Sequence, residues 1–142
     1  MLRVLSQELR LDPEDVAKAH LELALRFLDE AKMYLGKGDP VQASERLYKV
    51  AEECIKALAI KYNIPGAEEA LKEGRWWTRL LSRAAKTLTT RLNEQIINTA
   101  WCVAYDLHVW GFHEAALTVD HVKVSLPHIE QLLRKTQQLL QT

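Results

Sequence analysis

TAWCVAYDLHVWGFHE, residues Thr99 to Glu114, joins a long uncharged run to two histidines and four large aromatic rings. No Asp, Glu, Lys or Arg stands between Gln95 and Tyr105. An uncharged helix of that length is expected to be surrounded by protein on most sides, so this is read as the core helix, from about Leu92 to Gly111 or a little beyond. Trp101, Tyr105, His108 and Phe112 recur at steps of four, three and four, which puts them on one helical face. Asp106, Trp110 and His113 fall on another.

The segments before it repeat one opening device. Asp12-Pro13-Glu14-Asp15 and Asp39-Pro40 each place a side-chain acceptor at the N-cap and a proline at the first helical position. Residues Val16, His20, Leu23, Phe27, Ala31 and Tyr34 stripe the first helix, and Ala43, Leu47, Val50, Cys54, Leu58 and Tyr62 the second. The short GKGDP connection makes them an antiparallel hairpin. On the far side of the second helix, Glu45 with Lys49 and Glu52 with Lys56 set acid four residues before base, the pattern of a solvated face. PGAEEALKEG reads as a short helical turn or loop. A third helix then runs from Arg75 to Leu88, with Thr89 and Thr90 as a break. Beyond Thr118 a turn at 119 to 124 is expected, followed by a terminal helix, because Pro127 interrupts the amide ladder. A short leading helix or arm is expected over Met1 to Leu11. The class is all-α: an up-and-down antiparallel bundle with four long helices and short extra ones.

The chain has 142 residues, 48% hydrophobic, which suits one domain over 1–142 with a single core. Nineteen basic residues balance nineteen acidic ones, so attraction to nucleic acid has to come from a local concentration of charge. No apolar run approaches the roughly 20 residues that span a bilayer. With no leader and only Cys54 and Cys102, a soluble cytoplasmic protein with reduced thiols is expected and no membrane partner.

Two blocks carry a resemblance. GDPVQASERLYKVAEECIKALA is similar to the second helix of the HEPN superfamily, the higher eukaryotes and prokaryotes nucleotide-binding proteins. GRWWTRLL followed by LHVWGFHE resembles more closely the archaeal PaREP-type proteins, regarded as relatives of that superfamily. The resemblance spans roughly Asp12 to Leu133. It implies a HEPN-like bundle, frequent homodimers, and a neighbourhood of toxin–antitoxin, RNA-processing and nucleotidyltransferase-associated proteins. HEPN ribonucleases are similar to one another in an Arg followed after four to six residues by His. No Arg here stands at that distance before any His, and His108, four residues, then His113 occupy the corresponding place.

His108 and His113, with Glu114 beside them, are the candidate catalytic residues, as imidazole is the side chain that titrates nearest neutral pH. On a continuous α-helix five positions turn through roughly 140°, so the two rings are expected to diverge unless Gly111 breaks the helix. The same obstacle stands against zinc, and His121 and His128 lie about two turns apart, so neither metal nor cofactor is expected. Hydrogen-bonded structural histidines are the competing explanation. The candidate ligand-binding residues are Arg75, Trp76, Trp77, Arg79, Arg83 and Trp110. Six cations, Lys72, Arg75, Arg79, Arg83, Lys86 and Arg91, face Glu73 alone in a chain neutral in sum, and four of them step by four, four and three into one stripe. A basic stripe beside tryptophans suits RNA or a nucleotide phosphate. The bland alternatives are docking on helix-one acids such as Glu14, Asp15, Glu22, Asp29 and Glu30, or on a partner subunit. A homodimeric binding or interaction module is the expectation. A diverged metal-independent ribonuclease or nucleotide-binding enzyme, and an antitoxin-like partner of a nucleotidyltransferase, are the alternatives.

Overall fold

A computed structural model describes residues 12–142; the leading helix or arm expected over Met1 to Leu11 lies outside them. The described chain is an all-α bundle. Its elements are α1 (Pro13–Gly36), α2 (Pro40–Lys61), the short α3 (Ala67–Glu73), α4 (Thr78–Leu92), α5 (Gln95–Asp106), a π-helical segment (Leu107–His113) and α6 (Val119–Leu140). No described helix is long and apolar enough to cross a membrane.

Both Asp-Pro openings cap as their chemistry dictates. Asp12 accepts from the amide of Glu14 at 2.9 Å and Asp39 from that of Gln42 at 3.0 Å. Gly38, at φ +75°, turns the chain between α1 and α2, which pack as a hairpin. Gly66 and Gly74, both left-handed, bracket α3.

The enclosed helix is α2 rather than the uncharged one. It touches every other described helix and buries Leu47, Val50, Ile55 and Leu58 completely. α5 buries Ile97, Ala100, Trp101 and Ala104 but leaves Tyr105 43% and, just beyond it, Trp110 51% exposed. The reason is pairing: α2 keeps its charges by matching them to neighbours. Arg46 donates to Glu30 of α1 at 2.8 Å, and buried His20 of α1 meets buried Glu53 at 2.8 Å, with Lys56 at 3.0 Å from the second carboxylate oxygen. Burial alone would raise the Glu53 carboxyl, but the His20 hydrogen bond and Lys56 outweigh it and hold it below the usual carboxylate value. The face expected to be solvated is therefore partly covered.

Four boundaries differ from expectation. The third helix starts at Thr78 rather than Arg75, so Arg75, Trp76 and Trp77 precede it in an extended segment. Thr89 and Thr90 do not break the third helix, because their hydroxyls bond back to the carbonyls of Ala85 and Lys86, and α4 continues until Asn93 turns left-handed at φ +53°. The last helix begins at Val119, in place of the turn expected at 119 to 124. Thr118 Oγ1 accepts from the amide of His121 while His121 Nδ1 accepts from the amide of Thr118, a reciprocal cap with imidazole in the place of the usual Glu or Gln. Pro127 sits inside α6 on its exposed side, where water can reach the carbonyl it leaves unpaired. The core helix, finally, does not run unbroken to Gly111: its last turns are π-helical, with the Glu114 amide donating to the Val109 carbonyl at 2.9 Å.

Candidate functional site

The π-helical segment places the histidines. Gly111 lies against α2 so closely that a Cβ there would stand 2.5 Å from Ser44 Cβ and overlap its hydroxyl oxygen. Only glycine fits that crossing, and Ser44 Oγ, fully buried, has no hydrogen-bond partner among the described residues. A π turn closes hydrogen bonds five residues apart, so positions i and i+5 come nearly into line. The regular α-helix that would make His108 and His113 diverge is broken around Gly111, the exception allowed for: their Nε2 atoms are 3.1 Å apart, with the rings edge-on at 82°. His108 Nδ1 meets Glu45 Oε1 of α2 at 2.9 Å. The result is a carboxylate–imidazole–imidazole chain that starts half-buried at Glu45 and ends at exposed His113.

Aromatic rings fix it. Tyr48 stacks on His108 with centroids 4.1 Å apart and planes at 23°, and Phe112 lies on the same imidazole at 6.2 Å. Trp101 and Tyr105 continue the cluster at 5.7 and 6.5 Å from Tyr48. Burial, with the charges of Glu52 and Glu45 beside it, pushes the Tyr48 phenol up to about 12, so it keeps its proton. Burial likewise raises the Glu52 carboxyl, against the pull of Lys56 and Lys49. Glu45 and Tyr48 are functional candidates that helical periodicity misses. Their only local signal is a position one turn apart on a helix already rich in small residues. Glu114, by contrast, is exposed and makes no hydrogen bond or ion pair with either imidazole, so the acid in the chain is Glu45.

The basic stripe lies elsewhere, on α4, which packs against α2 and α5 and not against α1. Docking on the acids of helix one is thereby set aside. Arg79 and Arg83 are exposed, and neither has an ion pair among the described residues. Two grooves flank the stripe. One, of about 720 Å³, is lined by Arg75, Trp77, Arg79 and Arg83, with Glu69 and Glu73 on its far wall. The other, of about 580 Å³, holds Arg79, Lys86, Trp101, Cys102 and Tyr105. Arg79 and Lys86 border both, and Lys86 donates to Asn98 at 3.2 Å. Of the adjacent tryptophans, Trp76 packs into the core and Trp77 is 46% exposed with the Arg75 guanidinium 3.5 Å over its ring. Arg75, Trp77, Arg79 and Arg83 thus converge, while Trp76 turns inward and Trp110 and His113 line neither groove. Tyr105 joins the two regions, bordering the second groove and standing 6.1 Å from His108.

Cys54 is buried and Cys102 exposed, and both are free thiols. Among the described residues no three His, Cys, Asp or Glu side chains gather as a metal ion's ligands would.

No curated protein matches the chain. Solved structures do. A crystal structure of a protein from Sulfolobus solfataricus is 38% identical, with a TM-score of 0.74, covering 82% of this chain and 94% of that one. A solution structure of the Orf c02003 protein is also 38% identical, with a TM-score of 0.69 over 80% of this chain and 88% of that one. The model of the archaeal PaREP1/PaREP8 family matches residues 19–133. Most of the described bundle, with the histidine chain and both flanks of α4, falls within that match, and the chain belongs to the archaeal PaREP1/PaREP8 family.

Proposed function

We propose that this chain is a single HEPN-like helical domain, homodimeric and cytoplasmic, that binds single-stranded RNA or a nucleotide along α4. The observation that carries the reading is the pair of unpaired, exposed guanidiniums, Arg79 and Arg83, on one groove with Trp77, Arg79 also bordering a second groove with Trp101 and Tyr105. Interactions within the fold do not account for these cations. Phosphates supply the charge they lack, and a base has Trp77 on one side or Tyr105 on the other to stack upon.

Titrating the full chain with a short single-stranded RNA at several salt concentrations tests it. The parent is expected to bind with an affinity that falls as salt rises. Arg79→Ala with Arg83→Ala is expected to weaken all sequences alike and flatten the log–log slope by about 0.7 for each phosphate no longer neutralised, about 1.4 for two. The same double variant keeps its melting temperature. No measurable RNA affinity in the parent rejects the reading, and lower stability in the variant assigns the stripe to packing, as for an antitoxin-like partner of a nucleotidyltransferase.

A second reading rests on one observation, the 3.1 Å approach of His108 and His113. In it the chain is a metal-independent ribonuclease or nucleotide-acting enzyme, with the imidazoles exchanging a proton and Glu45 holding His108 in one tautomer.

A further inference from the structure

We infer that His108 and His113 form a binding site for a borderline divalent transition-metal ion such as zinc, with Glu45 as the positioning carboxylate. Three features of the cluster carry this. The first is distance. Two nitrogens on one zinc, at bonds of about 2.05 Å and a tetrahedral angle, stand roughly 3.3 Å apart, and at a right angle roughly 2.9 Å. The Nε2 atoms here are 3.1 Å apart, and they belong to rings set edge-on at 82°. The second is the partner of the other nitrogen. Glu45 Oε1 lies 2.9 Å from His108 Nδ1, so the carboxylate accepts the Nδ1 proton and leaves Nε2 with its lone pair outward. A histidine that ligates through one nitrogen while donating its other N–H to a carboxylate is the arrangement that orients metal-binding imidazoles and raises their basicity. The third is preorganisation. Tyr48 stacks on the His108 ring and Phe112 lies nearly parallel beside it, so little rotameric freedom is lost on binding.

His113 needs only to move its proton from Nε2 to Nδ1 for both Nε2 lone pairs to face the ion, a tautomeric shift with no net change in charge or protons. The chain itself supplies two ligands, since no third His, Cys, Asp or Glu converges among the described residues. The remaining positions lie on the exposed side of His113 and are open to water or to an oxygen ligand such as phosphate. Arg79 and Arg83 take no part in this site, so it stands or falls independently of RNA binding on α4.

Calorimetric titration of the full chain with zinc chloride alone, at neutral pH, is the test. One ion per chain is expected. His113→Ala removes an exposed side chain and is expected to abolish uptake with the helical signal unchanged. His121→Ala and His128→Ala, on α6, are expected to leave it intact. Glu45→Gln, which keeps the shape of the carboxylate, is expected to weaken uptake by about 10- to 100-fold. Cobalt(II) on the parent gives a visible absorption that His113→Ala loses. No uptake of zinc at concentrations up to millimolar, or uptake that survives His113→Ala, overturns the inference and leaves the two imidazoles bridged by a proton.

Discussion

The histidine cluster and the α4 ridge lie on opposite terms with the fold. At the first, the carboxylate and the ring nitrogens meet partners within the bundle: Glu45 with His108, His108 with His113, and the His108 ring stacked on Tyr48. At the second, the guanidiniums of Arg79 and Arg83 have no ion pair among the described residues, and one tryptophan is left half in water. A geometry that folding has already assembled costs little further ordering when a small ligand arrives. A stripe that folding leaves unanswered contributes charge and reach instead, and its exposed cations add little to stability.

The sharpest way to break this comparison is to disturb the answered polar groups on α2. Replacing Glu53 by Leu strands buried His20 and leaves Lys56 to Glu52 alone, and a urea melt is expected to show a loss of about 3 kcal/mol. Glu53 also sets a pH dependence. Its carboxyl is held below its ordinary value in the folded state, so its stabilising share is complete above about 4.5, the ordinary carboxylate value, and is lost as pH falls through the lower folded value. Melting curves of parent and Glu53→Gln are expected to converge as pH falls through that lower folded value. Curves that stay parallel would show that His20 and Lys56 do not hold Glu53 ionised.

Next in size is the tryptophan pair, which carries the comparison within two adjacent residues. Trp76→Ala empties a site shared by both apolar clusters, next to Val16, Ala17, Ala57 and Ile60, and is expected to cost about 3 kcal/mol. Trp77→Ala forfeits only an exposed contact with Arg75 and is expected to cost at most about 1 kcal/mol. Equal losses would mean that Trp77 is covered in solution, as a dimer interface would cover it.

Between the two tryptophan changes in size, and aimed at geometry, is Gly111→Ala. The added Cβ has to push α2 and the π turn apart, at about 1–3 kcal/mol. Ser44→Gly in the same chain is expected to restore most of that loss by removing the atoms it strikes. Failure of the second change to rescue the first would place the strain elsewhere.

How much of this is legible in the sequence follows from what each feature depends on. The all-α class, the α1–α2 hairpin and the α4 stripe rest on local periodicity and caps, and Arg79 and Arg83 share a groove because they stand one turn apart on α4, whereas Arg75 reaches the same groove from the segment before the helix. The histidine approach rests on a tertiary contact between Gly111 and Ser44, far apart in the chain, and no local rule converts that contact into a π turn. Glu45 reads as one of a solvated acid–base pair because Lys49 is four residues on, whereas its partner comes from the far end of the core. The choice of the uncharged segment as the central helix fails for a related reason. Lack of charge marks a helix that can be enclosed, but α2 is enclosed with its charges paired across to Glu30, His20 and His108.

The unequal burial of the two thiols has a practical consequence. Burial pushes the Cys54 thiol up to about 12, so it neither ionises nor meets reagents at neutral pH, whereas Cys102 is exposed on the wall of the second groove beside Arg79 and Lys86. An alkylating dye added to the unaltered chain therefore attaches at one position, and that position is inside the groove whose ligand is sought. The molecule carries its own reporter, and whatever settles against α4 and Tyr105 changes the colour or mobility of the label without any engineered cysteine.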